Sequence, residues 1–198
     1  MEKDGLNKLF ELVSNVFHPI TNAGIAFFLL TFWGGGDSIV VNGFHFSVTL
    51  LFSMVIPFLY IFYLKKKGYL ETVDITERAQ RLNPFTFSII SYVTGFFILL
   101  GLQAPVHVQG LMFCYASNTL LVMLVTRWWK ISVHTTGIAG PLVALTFAFG
   151  TVVYPFYLLV IVIGTARVYL KRHTVMQVLA GGTAGLLLTY IQFRIFFS

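Results

Sequence analysis

Pro84 to Leu102 reads PFTFSIISYVTGFFILLGL, an uninterrupted run without one Asp, Glu, Lys or Arg. As a helix such a segment is about 28 Å long, close to the roughly 30 Å hydrocarbon core of a bilayer. Six more apolar stretches surround it: Pro19 to Trp33, Phe46 to Leu64, Val108 to Thr126, Thr136 to Val152, Pro155 to Leu170 and Val175 to Phe197. The first and the Pro155 stretch are short for a span of about 17 to 25 residues, so six to seven transmembrane helices are predicted. The runs are too long and too uniformly apolar for the alternating strands of a membrane barrel, and helices otherwise satisfy their own backbone in lipid. The fold class is therefore all-α, a polytopic membrane helical bundle.

Composition agrees. With 57% hydrophobic and 10% charged residues, the chain carries more apolar surface than a soluble core buries, and disorder is excluded. The lone cysteine, Cys114, lies in an apolar run and reads as a small buried hydrophobe. Ahead of the first span, Leu6, Leu9, Phe10, Val13 and Val16 recur at helical spacing beside Lys3, Lys8 and Glu11. Residues 1–18 thus read as a retained interfacial helix, and residues 19–198 as the transmembrane domain. Gly34, Gly35, Gly36 and Asp37 form the first turn, while Gly181, Gly182 and Gly185 give the last helix a small-residue packing face.

The formal charge of +6 would suggest nucleic acid in a soluble protein; here its placement points to membrane lipids instead. With seven spans, the connections Lys65 to Asn83, Arg127 to Thr135 and Lys171 to Thr174 emerge on the side of the N-terminus. That side holds every Lys and Arg except Arg194, which makes it cytoplasmic by the positive-inside rule. Leaving Arg78, Arg81, Lys130 and Arg167 out of the comparison preserves the bias. Lys65, Lys66 and Lys67 read as headgroup anchors, and Trp128 and Trp129 as part of an aromatic belt.

Those three connections also concentrate the chemistry. One contains Arg78 and Arg81, the next Lys130, Ser132 and His134, and the third Arg167, His173 and Gln177. Arginine and lysine clamp phosphate oxygens, and an imidazole serves as nucleophile, acid or base near neutrality. Cations with two histidines match phosphoryl transfer without a metal. Magnesium lacks a second carboxylate-bearing loop beyond Glu71, Asp74 and Glu77; zinc at His134, His173 and a third ligand such as His18 sits poorly among so many cations. No cofactor is implied. His18, His45 and His107 are read as structural, the last two on the opposite surface.

In order and spacing, residues 65 to 185 resemble the type 2 phosphatidate phosphatase superfamily of membrane lipid phosphatases and vanadium haloperoxidases. Its third motif, serine-arginine, five residues, histidine, three residues, aspartate, is met by Ala166-Arg167, His173 and Gln177, and its proline-serine-glycine-histidine by Ile131-Ser132-Val133-His134. The first motif departs further: Asp74 stands where a lysine belongs and Leu82 replaces a proline after Arg81, while Arg78 with Lys130 would supply the missing charge. The resemblance implies that His173 attacks phosphorus and forms a phosphohistidine, that His134 protonates the leaving alkoxide, that Arg167 and Arg81 hold the oxygens, and that Ser132 donates a hydrogen bond. Gln177 would orient His173 without the negative charge of an aspartate, which predicts a slow enzyme in which Gln177→Asp is neutral or activating. Thr174 to Gln177 equally fits a helix capping box.

The substrate class is then a lipid phosphomonoester or diphosphate, with headgroup, tail and oligomeric state open. One alternative is a catalytically impaired relative that binds lipid phosphate or acts as a membrane partner. Another is a haem or quinone protein, which needs two histidines facing each other across the bundle; a retinal protein lacks a lysine in the last span.

Overall fold

Each apolar stretch becomes a helix, as the backbone's need for internal hydrogen bonds in lipid requires. The computed structural model describes residues 2–34, 37–72, 75 and 77–197, and among the described residues there is no strand. The predicted first turn thus falls partly outside them, at Gly35 and Gly36, as does Asp74. The chain runs α1 (Glu2–Val16), α2 (Pro19–Phe32), α3 (Ile39–Leu50), a π turn (Leu51–Val55) and α4 (Ile56–Lys66). A 3-10 turn (Ala79–Arg81) then leads into α5 (Leu82–Gly101) and α6 (Val106–Thr126). After α7 (Val133–Phe149) come a 3-10 segment (Gly150–Tyr157), α8 (Leu158–Tyr169), α9 (Val175–Gln192) and a terminal π turn (Phe193–Phe197).

Five helical runs are long and apolar enough to cross a membrane: 39–66, 82–101, 106–126, 133–169 and 175–197. The 133–169 run is not one rod. A continuous helix would set residues 134 and 167 about 50 Å apart, yet Arg167 Nη1 lies 3.5 Å from His134 Nε2. The chain doubles back at Gly150, whose φ of +70° suits a residue without Cβ, and Thr146 meets Tyr157 at 2.9 Å across the bend. This hairpin divides that run in two, while α1 and α2 reach the length and apolarity of a span only when taken together as a bent pair. The reversal lies a few residues earlier than the gap between the Thr136 and Pro155 stretches, because glycine, rather than the proline, turns the chain.

Two local features shape the region around the site. Pro57 lacks the N–H that would bond to Ser53, so the preceding turn widens and Ile56 bonds to Leu51 instead. Phe52 O is then held by Ser91 Oγ at 2.6 Å, which fixes α5 against the widened turn. At the other end, His18 caps α2 and Pro19 occupies its first turn, with α1 bent 46° away. Deeper in the bundle, Ser117, Asn118, Thr189 and Gln192 form a hydrogen-bonded cluster joining α6 to α9. Cys114 is buried and free, as expected.

The glycine face of α9 sets the spacing of the site. A Cβ on Gly181 would run into Ser132 O and Thr135 Oγ1, and one on Gly185 would come 2.8 Å from Thr136 O. Thr136 Oγ1 takes advantage of the approach and donates to Gly181 O at 2.9 Å. Gly181→Val should therefore push α9 from the start of α7, costing about 1–3 kcal/mol of stability. Thermal unfolding in detergent measures it; a variant as stable as wild type would show that this close approach is not needed.

Candidate functional site

All three basic connections meet on one face, tied by side chains that reach from one to the next. Arg78 Nη1 donates to Trp128 O at 2.6 Å, Arg81 Nη1 to Ile131 O at 3.2 Å, and Lys130 Nζ to Arg172 O at 2.9 Å. Ser132 N donates to Gln177 O at 3.1 Å, joining the entrance of α7 to the first turn of α9. The helix starts complete the placement. Ser132 Oγ accepts Thr135 N–H and caps α7, which sets His134 on its first turn. Thr174 caps α9 in a capping box with Gln177.

The capping box and the orientation of His173 are one device. Gln177 Oε1 accepts the Thr174 N–H at 3.2 Å, which identifies that atom as the oxygen. The same oxygen is 3.1 Å from His173 Nδ1, so Nδ1 carries the proton and Nε2 keeps its lone pair. That Nε2 is buried and has no hydrogen-bond partner among the described residues. His173 lines a chamber together with His134 and Arg81, whose remaining walls are mainly apolar, including Pro57, Ile61, Phe85 and Tyr92.

Arg81 and Arg167 are both buried. Arg81 Nε donates to Ile75 O at 2.8 Å, and Arg167 Nη1 to Ser14 Oγ at 2.9 Å with the longer contact to His134. Burial pushes His173 down to about 3, with Lys130, Arg81 and Arg167 acting in the same direction and the Gln177 hydrogen bond opposing them. The group is therefore a neutral imidazole at neutral pH.

Not every predicted residue reaches the chamber. Arg78 is exposed, donates to Trp128 O and is not among the chamber walls. Ser132 is fully buried beneath the site, where its hydroxyl orders the turn that carries His134. Lys130 acts on His173 through its charge while tying two connections. His45 lies against Leu102 O and Asp37, and His107 stacks on Phe193, in neither case among the chamber walls.

Ser14 escaped the sequence reading: on α1, it is buried against Arg167. His18, weighed there only as a third zinc ligand and otherwise read as structural, lines the chamber with its ring 5.1 Å from that of His134. It stands directly before Pro19, a helix-start signature. No family model, curated protein or solved structure matches the chain.

The low proton affinity of His173 gives a signed expectation. An unfolded chain takes up this proton near 6.5 while the folded one resists it down to about 3. Stability that is full above 6.5 should therefore fall as pH drops through that window. Unfolding temperatures of wild type and His173→Asn should converge on acidification, and histidine NMR should show a neutral ring protonated on Nδ1. Gln177→Glu keeps the cap and adds a negative charge beside Nδ1, so it should raise the His173 pKa. An unmoved titration would count against that contact.

Proposed function

We propose that this chain is an integral-membrane phosphatase that hydrolyses a lipid phosphomonoester or diphosphate through a phosphohistidine on His173, without a metal. The observation that carries the reading is the bare, buried Nε2 of a neutral His173 in a chamber shared with Arg81 and His134. Its lone pair attacks phosphorus as the bond to the leaving oxygen breaks. Arg81 and Arg167 neutralise the charge spread over the other oxygens, and because their acceptors already fix them, little reorganisation is needed. Gln177 stabilises the Nδ1 proton as positive charge develops on the ring. His134 supplies the proton to the departing alkoxide or phosphate, then accepts one from the water that cleaves the phosphohistidine. Lys130 adds field at longer range.

The apolar walls suit a substrate whose phosphate is attached to a hydrocarbon, and the basic face, read as cytoplasmic, draws anionic lipid to it. Purified protein is to be assayed for phosphate release from phosphatidate, prenyl phosphates and prenyl diphosphates. The expected result is activity that survives chelator, is inhibited by vanadate and disappears in His173→Ala. Equal inertness of wild type and His173→Ala, with lipid phosphate still bound, would favour a non-catalytic lipid-phosphate binder instead.

A further inference from the structure

His18 stands where two hollows meet. Its Nδ1 accepts the Ile20 N–H at 3.3 Å, so the proton of the neutral ring is on Nε2. Besides the chamber of His173, it lines a second hollow between α2 and the widened turn leading into α4. His18, Ile20 and Ile61 belong to the walls of both, which makes them a neck. Beyond the neck, Met54, Phe58 and Leu59 form an apolar wall, and the last two are exposed on the outer surface of the bundle. That surface faces lipid in a membrane. A chamber that holds Arg81, His134 and His173 and adjoins, at His18, a lipid-facing apolar hollow has the layout of an amphiphile: anion, linkage, hydrocarbon.

We propose that His18 is a specificity-determining residue for a long-chain phosphate ester, its Nε2–H donating to an oxygen at the junction of head and tail while the tail lies between α2 and the π turn. This rests on the lipid-phosphate reading of the chamber. A monoester offers its bridging oxygen at that point and a diphosphate its inner phosphate, so the shared chemistry is an acceptor oxygen on the tail side of the reacting phosphorus. Asparagine also caps helices well, and with its oxygen in the cap its shorter amide does not reach the position of Nε2, so His18→Asn withdraws the donor from the junction while keeping the start of α2.

The test compares dodecyl phosphate and dodecyl diphosphate with p-nitrophenyl phosphate, which has no tail. In His18→Asn the ratio of kcat/KM for each dodecyl substrate to that for p-nitrophenyl phosphate should fall about tenfold. Met54→Trp, which fills the hollow, should lower the same ratios. A fall for only one dodecyl substrate identifies the linkage recognised and also supports the proposal. In parallel, a dodecyl phosphate carrying a mid-chain diazirine should label Met54 or Phe58 in wild type. Unchanged ratios in both variants, or labelling confined to Cys114 and Tyr115 of the interior hollow of about 540 Å³, would overturn the assignment. Should wild type hydrolyse none of the substrates, the phosphatase reading fails, and the labelled positions still decide where the tail lies.

Discussion

His173→Ala is expected to lower the rate on a lipid phosphate at least about 10³-fold, a barrier increase of about 4 kcal/mol. The argument is geometric before it is chemical. Gln177 fixes the ring so that Nδ1 is protonated, and Nε2 is left buried with no partner among the described residues. Such an atom carries a desolvation cost that a purely structural histidine avoids by finding a donor. With the nucleophile gone, Arg81 and Arg167 remain, so phosphate binding should persist while turnover stops. Rapid-quench labelling from a radioactive lipid phosphate should show an acid-labile phosphoenzyme in wild type and none in the variant. A variant retaining a tenth of the rate would remove His173 from the chemistry.

Arg167→Lys should cost about 10² to 10³-fold in kcat/KM. Arg167 is among the most deeply buried side chains of the protein, with one guanidinium nitrogen fixed by Ser14 and within 3.5 Å of His134. Lysine preserves the charge and loses the planar fork that grips two oxygens, so the loss should be concentrated in kcat rather than in folding. Ser14→Ala tests the support from α1. Without the hydroxyl, the guanidinium loses one of its supports, and a loss of about tenfold is expected, restored by Ser14→Thr. If Ser14→Ala altered thermal stability alone and left kcat and KM untouched, Ser14 would be a packing residue and no more.

Much of the fold was readable because charge-free runs in a membrane protein have few alternatives. α5 and α6 begin within two residues of the predicted stretches. The Phe46 stretch begins seven residues late, since Asn42, Gly43 and His45 dilute its apolar signal although the helix already starts at Ile39. The π turn before Pro57 left no mark in periodicity over so few residues. At the site, parity of the spans placed three connections on one face, and their cross-ties agree. What parity cannot convey is reach. Arg78 and Arg81 are one helical turn apart, yet one ends outside and the other inside. Ser14 and His18 were obscured for another reason: they precede the first span, where only tertiary packing folds α1 back onto α8. Leu9, Leu12 and Val16 consequently face outward, while Phe10 rests on Tyr169.

Two helices beside the chamber are short. α2 has 14 residues and α7 has 17, lengths of about 21 and 26 Å, and they touch where Gly137 would bring a Cβ 2.9 Å from Pro19. A hydrophobic segment shorter than the bilayer is matched by local thinning. On the phosphatase reading, thinning of the leaflet beside α2 would draw headgroups down towards His18 and His173. Bilayer thickness would then act as a control on substrate delivery, thicker membranes deepening the mismatch and charging more elastic energy for each phosphate presented.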